Sequence, residues 1–133
     1  MKYMMLIYRN EQDLDALTPE QKQRTVGATW AVIDEAKRRG VLVGVSPLER
    51  ISAATTIRHD GDKVLVSDGP FAETKEQLAG YYILACQDLD EAIAWASKIP
   101  ICGGGRGCIE IRPLRELPAR ESLFERQDAA VNA

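Results

Sequence analysis

Apolar and polar positions follow two periods along this chain, and the switches between them give an order of elements. Tyr3 to Tyr8 is an unbroken apolar run of strand length, the pattern of a strand covered on both faces. A helix start follows. Thr18 stands as N-cap, Pro19 takes the first helical position, and Gln21 lies three residues after the cap as a capping box requires. Gly40 closes that helix, and the last turn carries Lys37, Arg38 and Arg39, where cations complement the helix dipole. Val26, Trp30 and Ile33 fall at helical spacing, so Trp30 is expected to anchor the core rather than to face a ligand.

Val41 to Val45 reads as the next strand, stopped by Ser46-Pro47. Thr55–His59 and Lys63–Ser67 flank Asp60-Gly61-Asp62, a strong hairpin signal. Gly80 to Ala85 is a second strand apolar on both faces. Asp88 and Glu91 open a second helix with Leu89, Ala92, Ile93 and Ala96 on one side, ended by Pro100. Cys108 to Arg112 alternates as a final strand before Pro113, and residues 114–133 read as a tail, at most a short helix with a frayed end.

With the hairpin set aside, the order is βαββαβ, so the expected fold is α+β, ferredoxin-like with an inserted β-hairpin. Residues 3–8 and 80–85 take the central strands. Two helices can cover only one face of such a sheet, yet both strands are apolar on both faces. Leaving four to six large apolar side chains in water would forfeit on the order of 10 kcal/mol, which makes a homodimer the expected cover. Glu110 and Arg112 then point away from Ile109 and Ile111, either lining a cleft between subunits or standing as solvated charges on an edge strand.

Composition narrows the classes of function. The 133 residues suit one domain, and no apolar run approaches the length of a membrane span. A net charge of −3 with mixed signs and no basic patch argues against nucleic acid. The brief apolar start, followed by charge, does not read as a signal peptide, so a cytoplasmic protein is expected. Cys86, Cys102 and Cys108 are then expected as free thiols. Their spacing matches no zinc motif and Gly103–Gly107 follows a helix instead of preceding one, so no metal and no cofactor are expected, and the glycine run reads as a connection. His59, the single histidine, sits beside the hairpin turn.

The densest chemistry is Asp68-Gly69-Pro70-Phe71-Ala72-Glu73-Thr74-Lys75-Glu76. This string, with the Tyr-Met-Met-Leu-Ile-Tyr start, the Asp-Leu-Asp-Glu-Ala-Ile helix opening and the closing Ile-Glu-Ile-Arg-Pro, resembles the YCII-related family in its DGPF-domain branch, over residues 1 to about 113. The resemblance implies a dimeric α-β barrel and brings no settled substrate. It also implies a possible association with extracytoplasmic-function sigma factors, near or fused to which such domains occur. Relatives in the family suggest a His on the first helix and an Asp just before the Pro that ends the second. Here residues 19–39 contain no His, and Ile99 precedes Pro100. What matches is the string, so Asp68, Glu73, Lys75 and Glu76 are its ligand-binding candidates, joined by Glu110 and Arg112. A turn with solvated charges explains the same residues without a ligand. In the functional reading, Lys75 and Arg112 hold a small anionic metabolite, and Asp68 or Glu73 accepts a hydrogen bond or, in an enzyme, a proton.

Overall fold

The computed structural model describes residues 1–102 and 106–120. The chain runs β1 (Lys2–Arg9), α1 (Glu11–Asp15), α2 (Pro19–Arg38), β2 (Leu42–Pro47), β3 (Thr55–Asp60), β4 (Lys63–Asp68), β5 (Gln77–Ala85), α3 (Leu89–Lys98) and β6 (Cys108–Pro113), with one 3-10 turn at Ile51–Ala53. Four strands form an antiparallel sheet in the order β2-β5-β1-β6, while β3 and β4 pair as a separate hairpin. The result is a mixed α+β architecture with antiparallel sheets and three helices, compatible with the ferredoxin-like order, and β1 and β5 occupy the centre. The glycine run at 103–105 and the tail from 121 onward lie outside the described residues.

Local chemistry sets the boundaries. The Thr18 hydroxyl accepts from the Gln21 N–H, and the Gln21 side chain accepts from the Thr18 N–H, which closes the capping box at α2. Gly40 leaves the helix at φ +71, a conformation that costs glycine little. At α3, Asp88 accepts from Glu91 N–H, and Glu91 reaches back to the Gln87 N–H. The hairpin turns on Gly61-Asp62 between the paired Asp60 and Lys63, and Gly61 has φ +60, as a first central residue matched to strand twist should. α1 has little apolar pattern to announce it. Its start is fixed instead by the Asn10 side chain, which accepts from the Gln12 N–H at 2.8 Å.

The core lies between the helices and one face of the sheet. Tyr3 and Met5 from β1, Tyr82 and Leu84 from β5, Val32, Ile33 and Ala36 from α2, and Ala92, Trp95 and Ala96 from α3 are buried there. Ile109 and Ile111 pack against it, so Glu110 and Arg112 project from the opposite face, as strand alternation requires. Met4, Leu6 and Ile83 stand half-buried on that opposite face.

Two expectations about the helices change. Trp30 is 55% exposed and Val26 equally so, and of the expected triad only Ile33 is buried. The reason is positional: every buried residue of α2 lies in its C-terminal half, so the N-terminal half stands off the sheet. In α3 the buried stripe is Ala92, Trp95 and Ala96, while Leu89 and Ile93 are about half exposed. Trp95 decides the orientation because one buried indole removes more apolar area than either aliphatic side chain. The Arg39 guanidinium and the Lys98 ammonium lie 4.9 and 4.8 Å from its ring centroid, and Glu35 pairs with both cations.

Candidate functional site

The Asp68–Glu76 string is held by its backbone. Gly69 turns at φ +96 and its N–H donates to the Ala54 carbonyl, Thr56 donates to the Gly69 carbonyl at 2.7 Å, and Arg58 donates to the Phe71 carbonyl at 2.7 Å. The Asn10 amide donates to the Lys75 carbonyl, and Gln77 donates to the Thr74 carbonyl. Asp68, Glu73 and Lys75 are exposed, and among the described residues their side chains make no ion pair or hydrogen bond. Phe71 is also exposed.

One charge of the string does meet the closing strand. Glu76 accepts from the Cys108 thiol at 3.5 Å, and two residues on, Glu110 pairs with Arg112 at 3.7 Å on an exposed rim. Burial, then the hydrogen bond to Glu76 and the charges of Glu76 and Glu110, push the Cys108 thiol above its ordinary value. Two carboxylates there outnumber the one guanidinium. That balance suits an anion poorly.

A different place suits one better. Where α2 stands off the sheet, a cavity of about 570 Å³ opens between them, within the size range of small-molecule sites. Val26, Trp30 and Ile33 of α2 face Ile7, Val45 and Ile99 across it. Among the described residues its charged lining is Arg9, Lys22 and Lys37, with no carboxylate. Lys22 also acts on Asp15, which is itself paired with Arg50.

The polar groups of this wall divide sharply. Thr25 donates to the Gln21 carbonyl, Thr29 to the Thr25 carbonyl and Ser46 to the Pro47 carbonyl, so these hydroxyls are satisfied by backbone. Two groups are not. Arg9 Nε and the Tyr82 hydroxyl are buried with no hydrogen-bond partner among the described residues. Tyr82 is only 2% exposed, and burial raises its pKa, which keeps the phenol protonated as a donor at neutral pH. Beside them Gly80 admits no side chain, since a Cβ there would lie 2.8 Å from the Ser46 carbonyl oxygen.

Comparison with known proteins places this arrangement. The YCII-related domain family matches residues 1–118, most of the chain. The chain belongs to the YCII-related family. It is also similar to an uncharacterized protein of Rhizobium meliloti (strain 1021), 39% identical over 114 residues that cover 86% of this chain and 92% of that relative. In this YCII-related chain, Ile99 and Pro100 line the cavity together with the middle of α2. Ile99 stands where the family resemblance implied an Asp, and α2 is the helix on which it implied a His.

The sequence put Val26, Trp30 and Ile33 in the core and did not point to a cavity there, although one signal was present. Arg9 continues the alternate set Tyr3, Met5, Ile7 that faces the helices, so a period-2 count alone puts a cation on the covered face of β1. A cation so placed requires a partner.

Proposed function

We propose that this YCII-related protein binds a small anionic molecule in the cavity between α2 and the sheet, and does so as a homodimer. The observation that carries the reading is a pair of buried donors without a partner among the described residues, Arg9 Nε and the Tyr82 hydroxyl, on two residues that line a cavity whose described wall has cations and no carboxylate. Buried donors without acceptors are costly, and a ligand that accepts from both removes that cost on binding. The positions implied for a catalytic His and Asp carry no group that titrates near neutral pH, which favours binding over hydrolysis. The dimer rests on the half-buried apolar residues of the face away from the helices, Met4, Leu6 and Ile83. The charged string and Arg112 belong, in this reading, to the rim of the molecule and not to the ligand.

Tryptophan fluorescence tests the reading, because Trp30 borders the cavity while Trp95 is sealed in the core. Titration with benzoate is expected to give a saturable change that disappears in Trp30→Phe. Arg9→Gln is expected to weaken binding by roughly 10- to 100-fold, the loss typical of one charged hydrogen bond. Equal affinity in Arg9→Gln, or no saturable change with any carboxylate or with phosphate up to millimolar concentration, contradicts it. Turnover of a bound molecule that depends on Asp68 or Glu73 would establish the enzyme alternative instead.

A further inference from the structure

The two unpartnered donors belong to residues set apart along the sheet. Tyr82 stands opposite Met5 in the β1–β5 register, four residues before Arg9 on β1, so their backbones lie on the order of 13 Å apart at the usual strand rise. α2 begins beyond the end of β1 and returns along the sheet to β2, which puts Lys22, in its first turns, at the Arg9 end. Between the donors the wall is aliphatic and aromatic: Ile7, Val45, Ile33 and the indole of Trp30. The cavity therefore carries Arg9 and Lys22 at one end, an apolar length with the neutral Tyr82 donor farther in, and Lys37 from the last turn of α2 toward the other end.

From this we infer that the ligand is an elongated amphipathic carboxylate: an anionic head held by Arg9 and Lys22, a flat apolar body along Trp30 and Ile33, and a second acceptor that takes the Tyr82 hydroxyl hydrogen. A compact polar anion such as phosphate would satisfy the Arg9 end only. It would leave the Tyr82 hydroxyl buried without a partner and the apolar wall uncovered. A carboxylate with an apolar body and no second acceptor would cover the wall and still leave that hydroxyl unserved. Matching all three parts requires all three features in one molecule. The inference rests on the anion-binding reading above and adds the class of molecule.

Calorimetric titration of the full chain with three probes separates the parts: 4-acetylbenzoate, which has head, ring and distal carbonyl; 4-isopropylbenzoate, which has the same shape without the acceptor; and inorganic phosphate. The order expected is 4-acetylbenzoate, then 4-isopropylbenzoate weaker by roughly 3- to 10-fold, the range of one neutral hydrogen bond, then phosphate weakest. Tyr82→Phe is expected to erase the difference between the two benzoates. The variant keeps the ring that packs the core, and a urea melt verifies its fold. Equal binding of the two benzoates to the parent protein, or a difference that survives Tyr82→Phe, overturns the second acceptor and leaves anion binding standing. Phosphate binding as tightly as either benzoate overturns the apolar body. Failure of all three probes to bind overturns the inference and the anion-binding reading together.

Discussion

A phenol hydroxyl buried without a partner lowers the stability of the protein that holds it, so Tyr82 should behave unlike an ordinary core tyrosine. Tyr82→Phe removes the unserved group and keeps the packed ring. The ligand-free protein is therefore expected to gain about 1 kcal/mol in urea melts, or at least to lose nothing. A loss of 2 kcal/mol or more would show that the hydroxyl has a partner in the folded chain. Alkaline pH gives a second reading of the same residue. Burial raises the folded pKa of Tyr82, so the folded chain keeps its proton where the unfolded chain releases it. Stability then falls as pH rises above about 10, the ordinary phenol value, and Tyr82→Phe should lessen that fall. Arg9 was legible by alternation, whereas Tyr82 was not, because a tyrosine on a strand gives no sign of where its hydroxyl ends.

Among the elements, the two tryptophans separate the account most clearly. Trp95 is buried and flanked by Arg39 and Lys98, so Trp95→Ala is expected to cost roughly 3–5 kcal/mol. Trp30 stands at the cavity, and Trp30→Ala should cost no more than about 1.5 kcal/mol while weakening ligand binding. Urea denaturation of both variants decides it, and the reverse ranking would put the cavity in the wrong place. Helix and turn boundaries were readable because their chemistry is local: Thr18 with Gln21, Asp88 with Glu91, and Gly61 act within a few residues. Which side of each helix is buried was not, because the stripes Val26-Trp30-Ile33 and Val32-Ile33-Ala36 are both apolar. The choice falls to how much of α2 the sheet can reach, a tertiary fact. α1 went unseen because its main signal is a single Asn10 cap.

For the whole molecule, the element order and the central places of β1 and β5 followed from hydrophobic pattern, since two runs apolar on both faces fit only the middle of such a sheet. The proposed cavity site did not follow from it. Sequence pointed to a string of charges from Asp68 to Glu76, while the cavity is assembled from β1, α2, β2, β5 and the end of α3, residues far apart in the chain with no motif among them. The proposed homodimer is tested by sedimentation equilibrium, where a dimer at micromolar concentration is expected and a stably folded monomer contradicts it. The most direct test of the central claim is an amide NMR titration of the full chain with 4-acetylbenzoate. Shifts should gather on Ile7–Arg9, Thr25–Ile33 and Gly80–Tyr82, leaving Asp68–Glu76 and Glu110–Arg112 unmoved. Shifts confined to the string and the closing strand would contradict the account and return the site to the charges that the sequence first brought forward.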